Sequence, residues 1–304
     1  FSTSKPMYLD TLEVRLTPRT EEDSYNLQLN ETALDILSLV FEFKVLTAWQ
    51  IARFLGHKDQ SKYLYLKLRR VWQAGLLESF KVYTGSRAGM PVYYMLSKRG
   101  LKLLAEKGKY HPMLLKSYPQ AKTLFSWGIF RHEIQVAELA SQEVKNGSKS
   151  FAIACKGEAS SVAHDFRSEK SIEVFTPDYT VFYRMGGLEK RIYTEFERTS
   201  KSIENMGRKI ERYLLHLDQK EREHTTLRFI FQNPQMEQAF WRNAFLHQAG
   251  FLQKLRVLST NLNRLSSHEH FLEPIYVSEH TAKLTKQGSL GVDLSDRTKL
   301  FSFL

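Results

Sequence analysis

The chain of 304 residues has a single cysteine, Cys155, which excludes an intrachain disulfide framework and any zinc site built on several thiolates. Cys155 itself reads as a buried apolar side chain in a strand, and a reducing compartment suits it. No apolar run approaches the ~18 to 20 residues needed to cross a bilayer, and the opening stretch FSTSKPMYLD has no hydrophobic signal core. The expectation is a cytoplasmic protein with no membrane partner. A phosphate-cradling G-x-x-x-x-G-K is missing, as is a Ser nucleophile elbow, so NTP hydrolysis is not indicated. His268, His270 and His280 have neither thiolates nor a helical i, i+4 partner beside them and read as surface histidines rather than zinc ligands. There is no internal repeat and no low-complexity segment.

What the chain does have is enough apolar content, 42%, for two domains of ordinary size each to bury a core. Its positive charge is concentrated. Residues 44–110 hold 14 Lys and Arg against 3 Asp and Glu, a balance of +11 that equals the balance of the whole chain. In this stretch Thr47 caps a short helix, Ala48 to Leu55, which Gly56 stops. Ser61 opens a longer helix in which Leu64, Leu68 and Val71 fall on one face, and Gly75 ends it. Two strands follow, Glu78 to Tyr83 and Val92 to Leu96, separated by the loop TGSRAGMP. Asn30 starts an earlier helix carrying Leu34, Leu37 and Phe41, and Ser97 starts a later one that Gly108 closes. Helix, turn, helix and hairpin predict a winged helix over 30–110, preceded by a flexible arm over 1–29.

On the second of these helices Lys62, Tyr63, Arg69, Arg70 and Gln73 project away from the apolar stripe, and Arg87 stands at the tip of the hairpin loop. Any amphipathic helix has a solvated face, and a basic one is ordinary by itself. The concentration of the chain's whole charge excess in this stretch favours double-stranded DNA, because basic side chains on phosphates release condensed counterions.

Residues 111–125 contain two prolines and no apolar period, and read as a linker to a domain over 126–265, with a C-terminal extension over 266–304. The second domain is expected to open with a helix, Trp127 to Lys145, and to continue with strands at Phe151 to Cys155 and Ile172 to Phe175. Strands from Thr176 to Arg184 and from Lys190 to Arg198 form a hairpin around Gly186-Gly187, and a helix runs from about Ser202 to Leu217. Thr226 to Phe231 reads as a buried central strand, Pro234 opens a helix to Gly250, and Leu255 to Leu258 and Pro274 to Val277 add strands. The fold class is therefore α+β or α/β in two domains, the second a mixed sheet flanked by helices.

Along a strand side chains alternate, so Glu195 and Glu197 share one face while Phe196 points the other way. Pairing of the hairpin brings Asp178 beside them. Three converging carboxylates suit a hard divalent ion, Mg²⁺ or Mn²⁺, with a bound water as nucleophile for phosphodiester hydrolysis. A proline-aspartate pair, then seventeen positions from Asp178 to Glu195, then E-x-E, resembles the PD-(D/E)XK nuclease superfamily, with its restriction-endonuclease-like fold. The resemblance implies metal binding by Asp178 and Glu195. The chain departs from it at Glu197, where a lysine is usual. Lys209 and Tyr213, four apart on the following helix, resemble a lysine-bearing form of the Q-x-x-x-Y motif of some members and imply a catalytic role for Lys209. With the winged helix in front, the pattern His132, Pro177, Asp178, Glu195, Glu197, Arg198 is similar to the replication-relaxation family of plasmids and integrative elements. His132 reads as a core or supporting residue rather than a general base.

Three functions compete. One is a DNA-processing protein of a mobile element, active in plasmid replication or conjugative transfer, whose second domain is a metal-dependent nuclease or a relic of one. Another is a noncatalytic regulator of replication or transcription that works by occupying DNA. In the third, the winged helix docks other replication or transfer proteins.

Overall fold

The first four helices of the computed structural model start where the sequence supplies an oxygen for the orphan amides of a first turn. The Asn30 side chain accepts from the Ala33 amide at 3.1 Å and opens α1 (Glu31–Phe43). Thr47 and Gln50 cap reciprocally at the start of α2 (Ala48–Phe54). Ser61 caps α3 (Lys62–Gln73), and Ser97 caps α4 (Lys98–Glu106). Strands β1 (Val14–Leu16), β2 (Leu46–Thr47), β3 (Leu77–Val82) and β4 (Val92–Leu96) form an antiparallel sheet in the order β1-β3-β4-β2. The structure describes residues 14–16, 29–58, 61–82, 91–110, 112–116, 118–147, 152–163, 176–185, 188–199, 203–247, 255–266, 277–278, 282–284 and 290–292. Expectations for Arg87 and for a strand at 172–175 lie outside these residues.

The chain divides into two compact units, Phe1–Gln142 and Glu143–Leu304. In the first, the end of α3 and the start of α4 meet closely. Ser97 Oγ donates to the Gly75 carbonyl at 2.6 Å, and the Ser97 amide donates to the Leu76 carbonyl at 3.2 Å. A Cβ on Gly100 would lie 2.2 Å from that same Leu76 oxygen. Backbone cannot yield as a side-chain tip does, so Gly100→Ala is expected to destabilise the first unit by about 1–3 kcal/mol. A urea midpoint equal to that of the wild type would show that the Leu76 turn moves aside freely.

Three expectations for this unit need correction. The stretch read as a linker holds α5 (Pro112–Lys116) and α6 (Ala121–Leu124), and Leu114, Leu115, Leu124 and Phe125 in it are buried. Leu124 and Phe125 are buried with Val45, Phe80, Val82, Tyr93, Met95 and Phe130. The Phe125 ring lies 4.8 Å from that of Phe80 and 5.0 Å from that of Phe130. Tyr118 Oη donates to the Lys44 carbonyl at 2.6 Å and accepts from the Leu96 amide at 3.1 Å. The next helix, α7 (Trp127–Gly147), is expected to lie wholly in the second domain, but most of it belongs to the first unit. Its Glu133 pairs with Lys44 at 2.7 Å, and its Glu138 accepts from Arg53 at 2.5 Å and from Gln50 at 3.0 Å. The expected flexible arm also contains β1, registered Val14 to Val82 and Leu16 to Phe80.

The second unit is built on a six-stranded mixed sheet, reached after α7 by β5 (Ala152–Gly157) and α8 (Glu158–Ala163). Then come β6 (Tyr179–Met185), β7 (Leu188–Glu197), α9 (Ile203–His216), α10 (Gln219–Glu223), β8 (Thr225–Phe231), α11 (Pro234–His247), β9 (Arg256–Asn261) and α12 (Leu262–Ser266). Short strands β10 (Val277–Ser278), β11 (Ala282–Leu284) and β12 (Leu290–Val292) are the last elements among the described residues. The sheet order is β10-β9-β8-β7-β6-β5, with β7, β8 and β9 parallel and the other neighbours antiparallel. A strand paired in parallel on both sides and covered on both faces reads as a continuous apolar run, and every residue of β8 is buried. Tyr213 of α9 and Phe240, Trp241 and Ala244 of α11 pack with Leu227, Phe229 and Phe231 of β8 on one face.

Candidate functional site

Glu195 and Glu197 stand beside Phe229 and Phe231 in the β7–β8 register, on the face that packs with α9. Alternation along β7 puts both carboxylates there, and each is only 2% exposed. Buried charges need partners, and α9 supplies them one turn apart. Lys209 Nζ donates to Glu197 Oε1 at 2.7 Å and pairs also with Glu195 Oε2. Four residues on, Tyr213 Oη donates to Glu195 Oε1. Asp178, just before β6, accepts the Phe196 amide at 2.6 Å through Oδ2. The structure thus brings Glu195, Glu197, Lys209 and Tyr213 together, with Asp178 hydrogen-bonded to the residue between the two glutamates.

Burial pushes the Glu195 carboxyl up to about 7, opposed by Lys209 and the Tyr213 hydrogen bond and reinforced by Asp178. For Lys209 burial acts the other way, favouring the neutral amine, but the carboxylates of Glu195, Glu197 and Asp178 outweigh it and raise its affinity for the proton. The ammonium is therefore retained. Burial, and then Glu195, raise the Tyr213 hydroxyl well above the ordinary phenol range, so it stays a donor.

A divalent ion does not fit this arrangement. Mg²⁺ requires an octahedron of oxygens at about 2.0–2.1 Å, and the position where the Glu195 and Glu197 oxygens converge is taken by the Lys209 ammonium. Among the described residues no three His, Cys, Asp or Glu side chains are grouped to hold a metal ion. Chemically, the cluster is a buried, hydrogen-bonded ion group.

In the first unit, α3 buries Leu64, Leu68 and Val71 and exposes Lys62, Tyr63, Arg69 and Arg70, with Gln73 half-buried. Tyr65 and Leu66 are exposed as well, so the face combines cations with apolar and aromatic surface. Lys67, in the same helix, is buried.

A family model described as Replication-relaxation matches residues 37–228, well over half of the chain. The chain belongs to the replication-relaxation family. No curated protein and no solved structure matches it. Family membership supports a general role in replication and mobile-element biology, and the match takes in both α3 and the Asp178, Glu195, Glu197 and Lys209 positions. His132 also lies in the matched range, on the part of α7 that belongs to the first unit. No helix among the described residues is long and apolar enough to cross a membrane.

The last matched residue is one that reading the sequence passed over. Arg228 sits fully buried in β8 and forms a two-pronged ion pair with Glu143, Nη1 to Oε1 at 2.9 Å and Nη2 to Oε2 at 2.6 Å. Tyr179 and Tyr183 donate to the same carboxylate, and Thr194 Oγ1 accepts from Arg228 at 2.7 Å. A second network beyond the family match joins Glu237 to Arg264 at 2.8 Å, to Ser259 at 2.5 Å and to Asn261 at 2.6 Å. The signal was an arginine inside the apolar run LRFIF, which only a buried acid could neutralise.

Proposed function

We propose that this replication-relaxation protein binds double-stranded DNA during the replication or transfer of a mobile element, through a winged helix in which α3 is the reading helix. The observation that carries the proposal is the exposed face of α3. Lys62, Arg69 and Arg70 stand out from a helix anchored by Leu64, Leu68 and Val71, within the stretch that holds the chain's whole charge excess. A helix held by one apolar stripe and presenting cations on the other side suits entry into the major groove, with Tyr63 and Gln73 at base edges and the cations on phosphates. The order α2, α3, β3, β4 supports the winged form. The test is fluorescence anisotropy of labelled duplex DNA over a range of salt. Log affinity is expected to fall linearly with log salt, with a slope of about −0.9 per phosphate contact. Absence of salt-dependent duplex affinity would overturn the reading and leave the α3 face to a protein partner.

The second unit supports a restriction-endonuclease-like relationship through its mixed sheet and through Asp178, Glu195, Glu197 and Lys209 at the positions expected of an active site. Lys209 between the two glutamates favours DNA occupancy over metal-dependent cleavage.

A further inference from the structure

We infer that Lys209 is a built-in counter-cation which occupies, permanently and in place of a divalent metal, the position between Glu195 and Glu197. Buried carboxylates on one strand face repel, and a cation between them relieves that repulsion while both stay ionised. In a metal site that charge comes from solution. Here it comes from α9, whose Lys209 reaches Glu197 Oε1 at 2.7 Å and also Glu195 Oε2. The remaining donors are protein groups too. Tyr213 Oη takes Glu195 Oε1, and the Phe196 amide takes Asp178 Oδ2 at 2.6 Å. Four carboxylate oxygens of the cluster are therefore committed to hydrogen-bond donors, which a metal would have to displace before it could coordinate them. Placement makes the displacement difficult. Lys209 keeps 23% of its side chain exposed while both glutamates are 2% exposed, so the lysine closes the outer side of the cluster. Ile210 and Tyr213, fully packed on the core of this unit, fix the turn of α9 that carries it.

The consequence reaches beyond the DNA reading and does not depend on it. A protein whose cluster carries its own cation has no divalent requirement for folding. It also means that the metal site is latent, since removing the ammonium would leave buried oxygens open to an external cation in competition with a proton.

The test is calorimetric titration of the full chain with Mn²⁺, paired with thermal melting at increasing Mn²⁺. Wild type is expected to take up no ion stoichiometrically and to melt at an unchanged temperature. Lys209→Ala is expected to bind one Mn²⁺ per chain at least about tenfold more tightly than any residual binding by wild type, because a repelling unit charge a few ångströms away has gone. Its melting temperature should rise with Mn²⁺, and both effects should vanish in Lys209→Ala combined with Glu195→Gln and Glu197→Gln. If Lys209→Ala folds only when Mn²⁺ is present, the inference is supported, since the ion then does what the ammonium did. Stoichiometric Mn²⁺ binding by wild type that is lost in Glu197→Gln would overturn it. So would a Lys209→Ala chain that ignores Mn²⁺, or one that Mn²⁺ cannot return to the folded state.

Discussion

Arg228→Met is expected to cost the second unit about 3–5 kcal/mol, because it strands the Glu143 carboxylate in a place with no water to receive it. Arg228 and Glu143 are 0% and 1% exposed at the side chain, so solvent does not soften the loss. Tyr179 and Tyr183 would still donate to Glu143, but two neutral hydroxyls do not balance a full charge. Replacing both partners is a different experiment. Glu143→Leu with Arg228→Met removes the charges together and should recover most of the loss, leaving the cost of the Tyr179, Tyr183 and Thr194 hydroxyls that lose a partner. Urea unfolding of the four chains in this cycle measures the coupling. A single-variant loss below about 1 kcal/mol would mean that water reaches the pair and that the network is not a dry one.

That pair also marks the limit of what could be read in advance. Local features were legible. The caps at Asn30, Thr47, Ser61 and Ser97 depend on residues three positions apart, and the buried stripe of α3 depends on residues four and three apart. Glu195 and Glu197 on one face of β7 follow from strand alternation, and Lys209 and Tyr213 follow from a helical turn. That Lys209 sits between the two glutamates is not local. It depends on how α9 packs against β7, and three carboxylates in a motif suggest an external cation as readily as an internal one. Glu143 and Arg228 are 85 positions apart, and nothing near either in sequence names the other.

The 111–125 segment misled for a related physical reason. Leu114, Leu115, Leu124 and Phe125 obey no period because they lie on two very short helices or, for Phe125, at the end of one, yet all four are buried. Burial depends on where a side chain ends up, and periodicity reports it only when one long element faces one core. The three residues of β1 are shorter still. Their partner strand begins more than sixty residues later, so a strand formed by pairing had no signature of its own.

Neutralising Lys62, Arg69 and Arg70 together should weaken duplex binding by roughly one to three orders of magnitude at low salt and reduce the log–log salt slope by about 2 to 3, as each lost phosphate contact removes close to one released counterion. The slope is the more informative quantity. Damage to the fold would reduce the fraction of active protein at every salt concentration and leave the slope of the survivors unchanged. Loss of three surface charges should leave stability nearly untouched, since Lys62, Arg69 and Arg70 are exposed while Leu64, Leu68 and Val71 carry the packing of α3. Tyr63→Ala provides the contrast: it is exposed on the same face, carries no charge, and should weaken binding without changing the slope. If the triple variant holds duplex DNA as tightly as wild type at every salt concentration, α3 is not the reading helix. The basic stretch would then serve another partner.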